Sequence, residues 1–471
     1  MNDPPPAAQP RSFKNKTLQY TLVSSFLLAS VVLWISHHAV ISSSAIAGDK
    51  QHQLLSVPLP RRQAASGGLP PVPDFVKQKL DEELERLDNL DDGNSDAAAD
   101  VPTFPLPSDS PISLKPTFGK HRPNKNAVFA FAEGYEIGVY VTFIESLKQT
   151  NFTGDVALAV SYVQGMKPGV AEYLKSYSEQ GDGLRVISYA LEWECYKKSG
   201  VRIATTNNGF SDCKIVGGLY SDGKDTREAR PVATARYELY YIFSKQYHET
   251  SSILIIDARD AYFQSNPFTF SASPSLDGVH LPANQQMSSK QCRLDLFEEN
   301  YEAVNIGKSQ YNSRWIKSAY GQKALKTISA KPVVCSGSTM GTQKAIELYS
   351  VAMVAQFDKT KCKQVGCDQG FHNYLYYEGG LEPYLASNGC VMSVHKQGSG
   401  AVNNLAAMRD SPLRSQGVVA STGTEDNIGV FNNDKTTPSP VVHQFDRDKE
   451  LKIAIRKRTS KMVNQWKSSQ K

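Results

Sequence analysis

The chain lacks both common glycine cradles for a nucleotide phosphate: no Gly-x-x-x-x-Gly-Lys-Ser/Thr loop and no Gly-x-Gly-x-x-Gly run. It has no Cys-x-x-Cys pair, so a structural zinc site is not expected. The nine histidines among 471 residues are dispersed. That is thin for a two-metal phosphoester hydrolase, which needs clustered His and Asp. No stripe of Lys and Arg interleaved with aromatics crosses the middle of the chain, and the net charge is only +5. Nucleic acid is therefore not an expected partner. Hydrophobic residues make up 40%, which excludes a polytopic membrane protein. No internal repeat is present. Cysteine is absent before Cys195 and after Cys390, and all seven lie between. That clustering suits disulfides in an oxidising lumen. Cys195 with Cys213, and Cys362 with Cys367, are pairs by proximity, and the odd count leaves at least one thiol unpaired.

What is there begins with a targeting segment. Arg11, Lys14 and Lys16 precede an apolar run from Leu18 to Ile35. A bilayer takes about 20 residues to span, and positive charge ahead of the run places the N-terminus in the cytoplasm. The expected layout is a cytoplasmic tail over 1–17, a transmembrane anchor over 18–41 and a lumenal remainder. Trp34 and the length of the run favour the anchor. The alternative is a signal peptide cleaved near Ala45-Ile46-Ala47. Residues 42–123, rich in Pro, Ala, Ser and Asp, read as a stem or linker. A folded domain is expected over 124–449, followed by a basic, partly helical tail over 450–471. Asn151-Phe152-Thr153 is a glycosylation sequon.

Within the domain, β and helical patterns alternate. Strands are expected at Ala127–Phe131, Asp155–Val160, Leu184–Ser188, Ile253–Ile256 and Gly278–Leu281. Helices are expected at Ile137–Gln149, Val170–Ser178, Glu228–Tyr247, Leu294–Asn305, Asn312–Leu325, Gln343–Phe357 and Gln369–Tyr377. Trp193 to Arg227 reads as a loop insertion. Val333 to Gly341 reads as a strand running into a small-residue turn. The alternation predicts an α/β fold with a mainly parallel sheet and helices on both faces.

Four segments carry candidate chemistry. The first is Ser252-Ile-Leu-Ile-Ile-Asp257-Ala-Arg-Asp260-Ala-Tyr-Phe-Gln-Ser-Asn-Pro267-Phe268, a run of β-formers ending in two carboxylates. In an extended segment the two would face opposite ways; in a turn past the strand end they converge. Carboxyl ends of parallel strands are where α/β sheets bind ligands, and carboxylates suit Mg²⁺ or Mn²⁺. The bland alternative is a turn-capping Asp with Arg259 paired locally. The second is Pro440-Val-Val-His443-Gln444-Phe445-Asp446, with His443 either a late metal ligand or a structural histidine. The third is Cys367-Asp368-Gln369, opening a helix, where an acidic residue also suits the helix dipole. The fourth is Cys335-Ser336-Gly337-Ser-Thr-Met-Gly341, whose small residues let backbone approach a ligand.

In this order the four segments resemble nucleotide-sugar-dependent glycosyltransferases of the GT-A type. In that superfamily a strand of the nucleotide-binding sheet ends in Asp-x-Asp, followed by an aromatic and a Pro-Phe turn. Here the spacing is Asp257-x-x-Asp260. Counted back from Pro267, Asp260 takes the second position, and Asp257 is displaced by one. The resemblance implies Asp260 as metal ligand, and Asp257 as a further ligand or a contact to the donor's ribose or sugar. It implies His443 as another ligand, Asp368 and Gln369 at the reaction centre, and Ser336 and Gly337 beside the donor. It places the nucleotide base near Phe131 to Glu133, and the diphosphate near Arg236. Mn²⁺ or Mg²⁺ and a nucleoside-diphosphate sugar are the implied cofactor and donor. The acceptor is a glycan, protein or lipid hydroxyl, and the product a hexosyl or pentosyl linkage. The anchor-stem-domain layout resembles Golgi single-pass type II enzymes. Two other readings stay open: a non-catalytic glycan-binding protein of the same fold, and a metal-dependent phosphoester hydrolase.

Overall fold

The computed structural model describes residues 114–196, 202–203, 212–216, 228–270, 291–299, 304–406, 411–421 and 428–469. The anchor over 18–41, the tail before it, nearly all of the stem and the strand expected at Gly278–Leu281 lie outside these residues. Among the described residues, no helix is long and apolar enough to cross a membrane.

The chain alternates as expected at first: β1 (Ala127–Phe131), α1 (Ile137–Gln149), β2 (Asp155–Ser161), α2 (Val170–Ser178) and β3 (Arg185–Leu191). Ahead of position 124, Thr117 and Phe118 already donate to the Ser188 carbonyl. The segment read as a loop insertion holds β4 (Trp193–Tyr196), β5 (Arg202–Ile203) and β6 (Asp212–Ile215), which form with β7 (Arg230–Pro231), just beyond it, an antiparallel sheet stapled by Cys195–Cys213. Next come α3 (Val232–Ser244), β8 (Ser252–Ile256), β9 (Ala261–Phe263) and β10 (Arg293–Glu298). Then follow α4 (Gln310–Ile328), β11 (Val334–Thr342), α5 (Gln343–Thr360), α6 (Cys367–Tyr377) and α7 (Leu381–Ser387). The chain closes with β12 (Val391–His395), β13 (Val402–Asn404), α8 (Ser411–Ser415), β14 (Val419–Ser421), β15 (Ile428–Val430), β16 (Val441–His443) and α9 (Lys449–Ser469).

The main sheet has seven strands in the order β12-β10-β11-β8-β1-β2-β3. β8, β1, β2 and β3 are mutually parallel. The other half departs from the expected parallel pattern: β11 runs antiparallel to both β8 and β10, and β10 is parallel to β12. Side chains alternate between two cores. Phe129 packs with Tyr189, Tyr237 and Phe243 on one face, and Val128 with Val156, Val186 and Leu254 on the other.

Two further expectations are corrected. Leu294 onward is strand β10, not helix. Leu294, Asp295, Leu296 and Phe297 are all buried between β11 and β12, so the period is two and both faces are covered. Ser336 and Gly337 lie inside β11 rather than in a turn. The helix expected in part over 450–471 is α9, which buries Leu451, Ala454, Ile455 and Met462, and its Trp466 meets Tyr173 edge-on at 5.2 Å. Disulfides also join Cys292 to Cys390 and Cys362 to Cys367, and Cys335 is a free, buried thiol.

Candidate active site

β8 delivers Asp257 at its carboxyl end. The chain then turns through Ala258 and Arg259, so that Asp260 comes round beside Asp257 before β9 begins. β9 leaves the main sheet and pairs antiparallel with β16, with Ala261 opposite His443. β13 lies parallel on the other side of β16, with Asn404 opposite His443. This small sheet sets a histidine from far along the chain against the two aspartates. His443 Nε2 lies 3.8 Å from Asp257 Oδ2 and 3.7 Å from Asp260 Oδ1. The three ligand atoms lie within 4.8 Å of one another.

The histidine is fully buried, and its Nε2 has no hydrogen-bond partner. Its Nδ1 lies 2.8 Å from Asn404 Oδ1. Asn404 Nδ2 donates to the Phe297 carbonyl at 3.1 Å, which orients the amide with its oxygen toward the ring. Ser338 Oγ donates to the same oxygen at 3.0 Å. An Nδ1–H held this way leaves Nε2 aimed between the carboxylates. Two ligands of a six-coordinate cation with bonds of about 2.1 Å sit roughly 3 Å apart when cis and about 4.2 Å when trans. The two distances from His443 Nε2, 3.8 and 3.7 Å, lie between these limits. Two carboxylates and one imidazole suit Mn²⁺ well and Mg²⁺ through the carboxylates.

Charge balance is consistent with this. Burial opposes charge on Asp257, but Arg236, then His443, hold its carboxyl well below the usual range. Burial likewise opposes charge on His443, yet Cys335, Asp257 and Asp260 raise its pKa well above the ordinary value. Arg259 pairs with Asp260 at 2.9 Å, the local pair foreseen as the bland alternative; the aspartate faces His443 as well.

Arg236, on α3, is the hub of the neighbouring cluster. Its guanidinium is buried, pairs with Asp257 Oδ1 and reaches Asp368 Oδ2 at 2.7 Å. The structure thus gives it two carboxylates, where the resemblance implies a diphosphate. Burial pushes Asp368 up, and Arg236 pulls it back. Gln369 is committed to main chain: Oε1 accepts from Ser336 N–H at 2.7 Å, and Nε2 donates to the Val334 carbonyl at 2.7 Å. The β10–β11 register shifts here, with Leu296 opposite Thr339 but Glu298 opposite Val334. The bulged residues lose ladder partners, and Gln369 supplies them. Gln369 is therefore a positioning residue for β11. Gly337 stands against the trio: its carbonyl accepts from Asp257 N–H at 3.0 Å. A Cβ there would lie 2.6 Å from Asp257 Oδ2 and 2.7 Å from His443 Cε1. Phe131 ends the adjacent strand β1 and Glu133 follows two residues later, with Phe131 packed edge-on to Trp193 at 6.1 Å.

Sequence reasoning passed over Asn404, Glu299 and Tyr135. Burial, then Asp257, pushes the Tyr135 hydroxyl to about 12. Burial lifts Glu299 to about 7 against the pull of His443 and Arg447. The polar pair Asn403-Asn404 inside a short β run was a readable signal. Glu299 and Tyr135 had none.

No family model and no curated protein matches the chain. Similar solved structures include the galactosyltransferase LgtC in complex with donor and acceptor sugar analogues. It is 11% identical, over 72% of this chain and 95% of that one, at a TM-score of 0.35. Another is core-mannan synthase A (CmsA/Ktr4) from Aspergillus fumigatus in its Mn/GDP form, 12% identical over 64% of this chain and 80% of that one, at 0.29. A third is the glycosyltransferase GlyE of Streptococcus pneumoniae TIGR4, 12% identical over 57% and 45%, at 0.27. These are sugar-transfer enzymes by name, the class that the order of motifs resembles.

Proposed function

We propose that the chain is a glycosyltransferase of the GT-A type that moves a sugar from a nucleoside-diphosphate sugar to an acceptor hydroxyl with a divalent cation. One observation carries this reading: Asp257, Asp260 and His443 converge at the carboxyl edge of a largely parallel sheet, with a buried Nε2 lacking a partner. Asp257, Asp260 and His443 would hold the cation. Bound there, Mn²⁺ or Mg²⁺ neutralises charge that grows on the leaving diphosphate.

The chain's own residues do the rest. Asn404 fixes the tautomer of His443. Arg236 holds Asp257 Oδ1, so that Oδ2 faces the histidine. The same guanidinium holds Asp368 in place at the reaction centre, where its carboxylate would stabilise positive charge on the sugar as the glycosidic bond breaks. The missing side chain at Gly337 lets the strand pack directly against Asp257 and His443. Phe131 and Glu133, at and just beyond the end of β1, border the nucleotide base. The charge pattern of residues 1–41 supports a type II anchor in the Golgi membrane, with 42–123 as stem and the catalytic domain lumenal; the three disulfides fit an oxidising compartment.

Calorimetry with Mn²⁺ and UDP or GDP tests the reading, followed by a hydrolysis panel of UDP- and GDP-sugars. Asp260→Ala should abolish metal-dependent nucleotide binding. Binding that is independent of metal, or unchanged in that variant, would sink the proposal.

A further inference from the structure

We infer that Tyr311 and Trp315, with Arg314, form the subsite that takes a pyranose ring of the acceptor; this rests on the transferase reading above. β10 ends at the same sheet edge as the metal trio, because it runs antiparallel to β11, whose first residues touch that trio. Glu299 N–H donates to the Val333 carbonyl at 2.8 Å, and beyond it Ile306 donates to Lys331 and Gly307 to Ser329. This narrow extension carries α4 out over the edge. There the indole of Trp315 lies on Gly366, the N-cap of α6. A Cβ at Gly366 would sit 2.2 Å from the indole, and the residue has φ +93°. Only glycine meets both demands. Asp368 follows two residues later.

Tyr311 stands one turn before Trp315, its ring tilted by 33° with centroids 5.9 Å apart. At 60% it is the most exposed large apolar side chain among the described residues. The Arg314 guanidinium lies 5.6 Å from its centroid. A pyranose has an apolar C–H face and a rim of hydroxyls. An exposed ring backed by an indole matches the face, and an arginine fork beside it donates to the rim. Contacts run from the metal trio through Arg236 to Asp368, then through the α6 N-cap to Trp315 and Tyr311. The leaving diphosphate stays at the trio, so the aromatic pair, at the far end, faces the acceptor.

The test uses the purified chain with Mn²⁺, the nucleotide sugar it hydrolyses, and p-nitrophenyl α- and β-glycosides of glucose, galactose and mannose. Tyr311→Ala should raise the acceptor KM about fivefold to tenfold, the range expected for losing one aromatic stack. The donor KM should move less than about twofold, and Tyr311→Phe should keep the wild-type acceptor KM. Trp315→Ala is unsuitable because it disturbs the α6 N-cap. An unchanged acceptor KM in Tyr311→Ala overturns the inference. If no glycoside is glycosylated and no donor hydrolysed, the transferase reading fails first. Saturation-transfer NMR with methyl glycosides then decides the subsite: equal signals from wild type and Tyr311→Ala overturn it, and signals lost in the variant support it.

Discussion

Replacing Gly337 by alanine is the most direct probe of how the fold builds the site. The added Cβ would lie 2.6 Å from Asp257 Oδ2, 2.7 Å from His443 Cε1 and 3.1 Å from Asp257 Cγ, against ordinary contacts of 3.4–4 Å. Both ligands must retreat by upward of half an ångström, or β11 must move away from β8. The strand is poorly placed to move. Ser338 to Thr342 pair with β8, and Gly337 itself accepts from Asp257 N–H. The histidine is fully buried and bound to Asn404. Asp257 is the freer partner, with a side chain 38% exposed, so its carboxylate rotates off. Metal sites need ligands held within about 0.5 Å, and disturbed supporting contacts lower metal affinity by about tenfold to a hundredfold. Mn²⁺ titration of Gly337→Ala by calorimetry should show that loss. Thermal unfolding with EDTA should show only a modest drop. Wild-type Mn²⁺ affinity in a folded Gly337→Ala protein would refute the placement of the trio.

Other perturbations follow from the same contacts. Arg236→Ala leaves the buried Asp368 without its counter-ion and should cost about 3–5 kcal/mol in urea unfolding; Arg236→Lys should not restore it, because one ammonium does not span both carboxylates. Glu299 holds its proton up to about pH 7, above the unfolded value. Its favourable contribution is therefore full below the ordinary carboxylate pKa and lost as pH rises toward 7. Glu299→Gln, with EDTA present, should raise the melting temperature at pH 8 and leave it nearly unchanged at pH 4; an equal shift at both would contradict this. Cys292 and Cys390 stand 98 residues apart, so removing both should cost about 2–5 kcal/mol, read as a lower denaturant midpoint.

Local pattern made the first half of the domain legible. Ala127–Phe131, Ile137–Gln149 and Val170–Ser178 form where expected, since each is a strong period backed by nearby contacts. Leu294-Asp-Leu-Phe-Glu was misread because charges among leucines look helical. It is a strand because β11 and β12 cover it on either side, and those partners are 40 to 100 residues away in sequence. The small residues after Val334 look like a turn by composition; Gly337 lacks a side chain because Asp257 and His443 occupy the space one would fill.

By itself the sequence determined the donor chemistry: two carboxylates after a run of β-formers, a late histidine and an Asp-Gln at a helix start. It did not determine which of these would meet. Whether Asp257 and Asp260 diverge along a strand or converge in a turn depends on the chain leaving the main sheet at Ala258. The arrival of His443 depends on β9 pairing with β16, whose register puts Ala261 opposite the histidine. Gln369, expected at the reaction centre, was claimed by the main chain of β11 once the bulge left Ser336 N–H and the Val334 carbonyl without ladder partners. Residue type decides what an atom can bind, and only long-range hydrogen-bond register decides which atoms share one space.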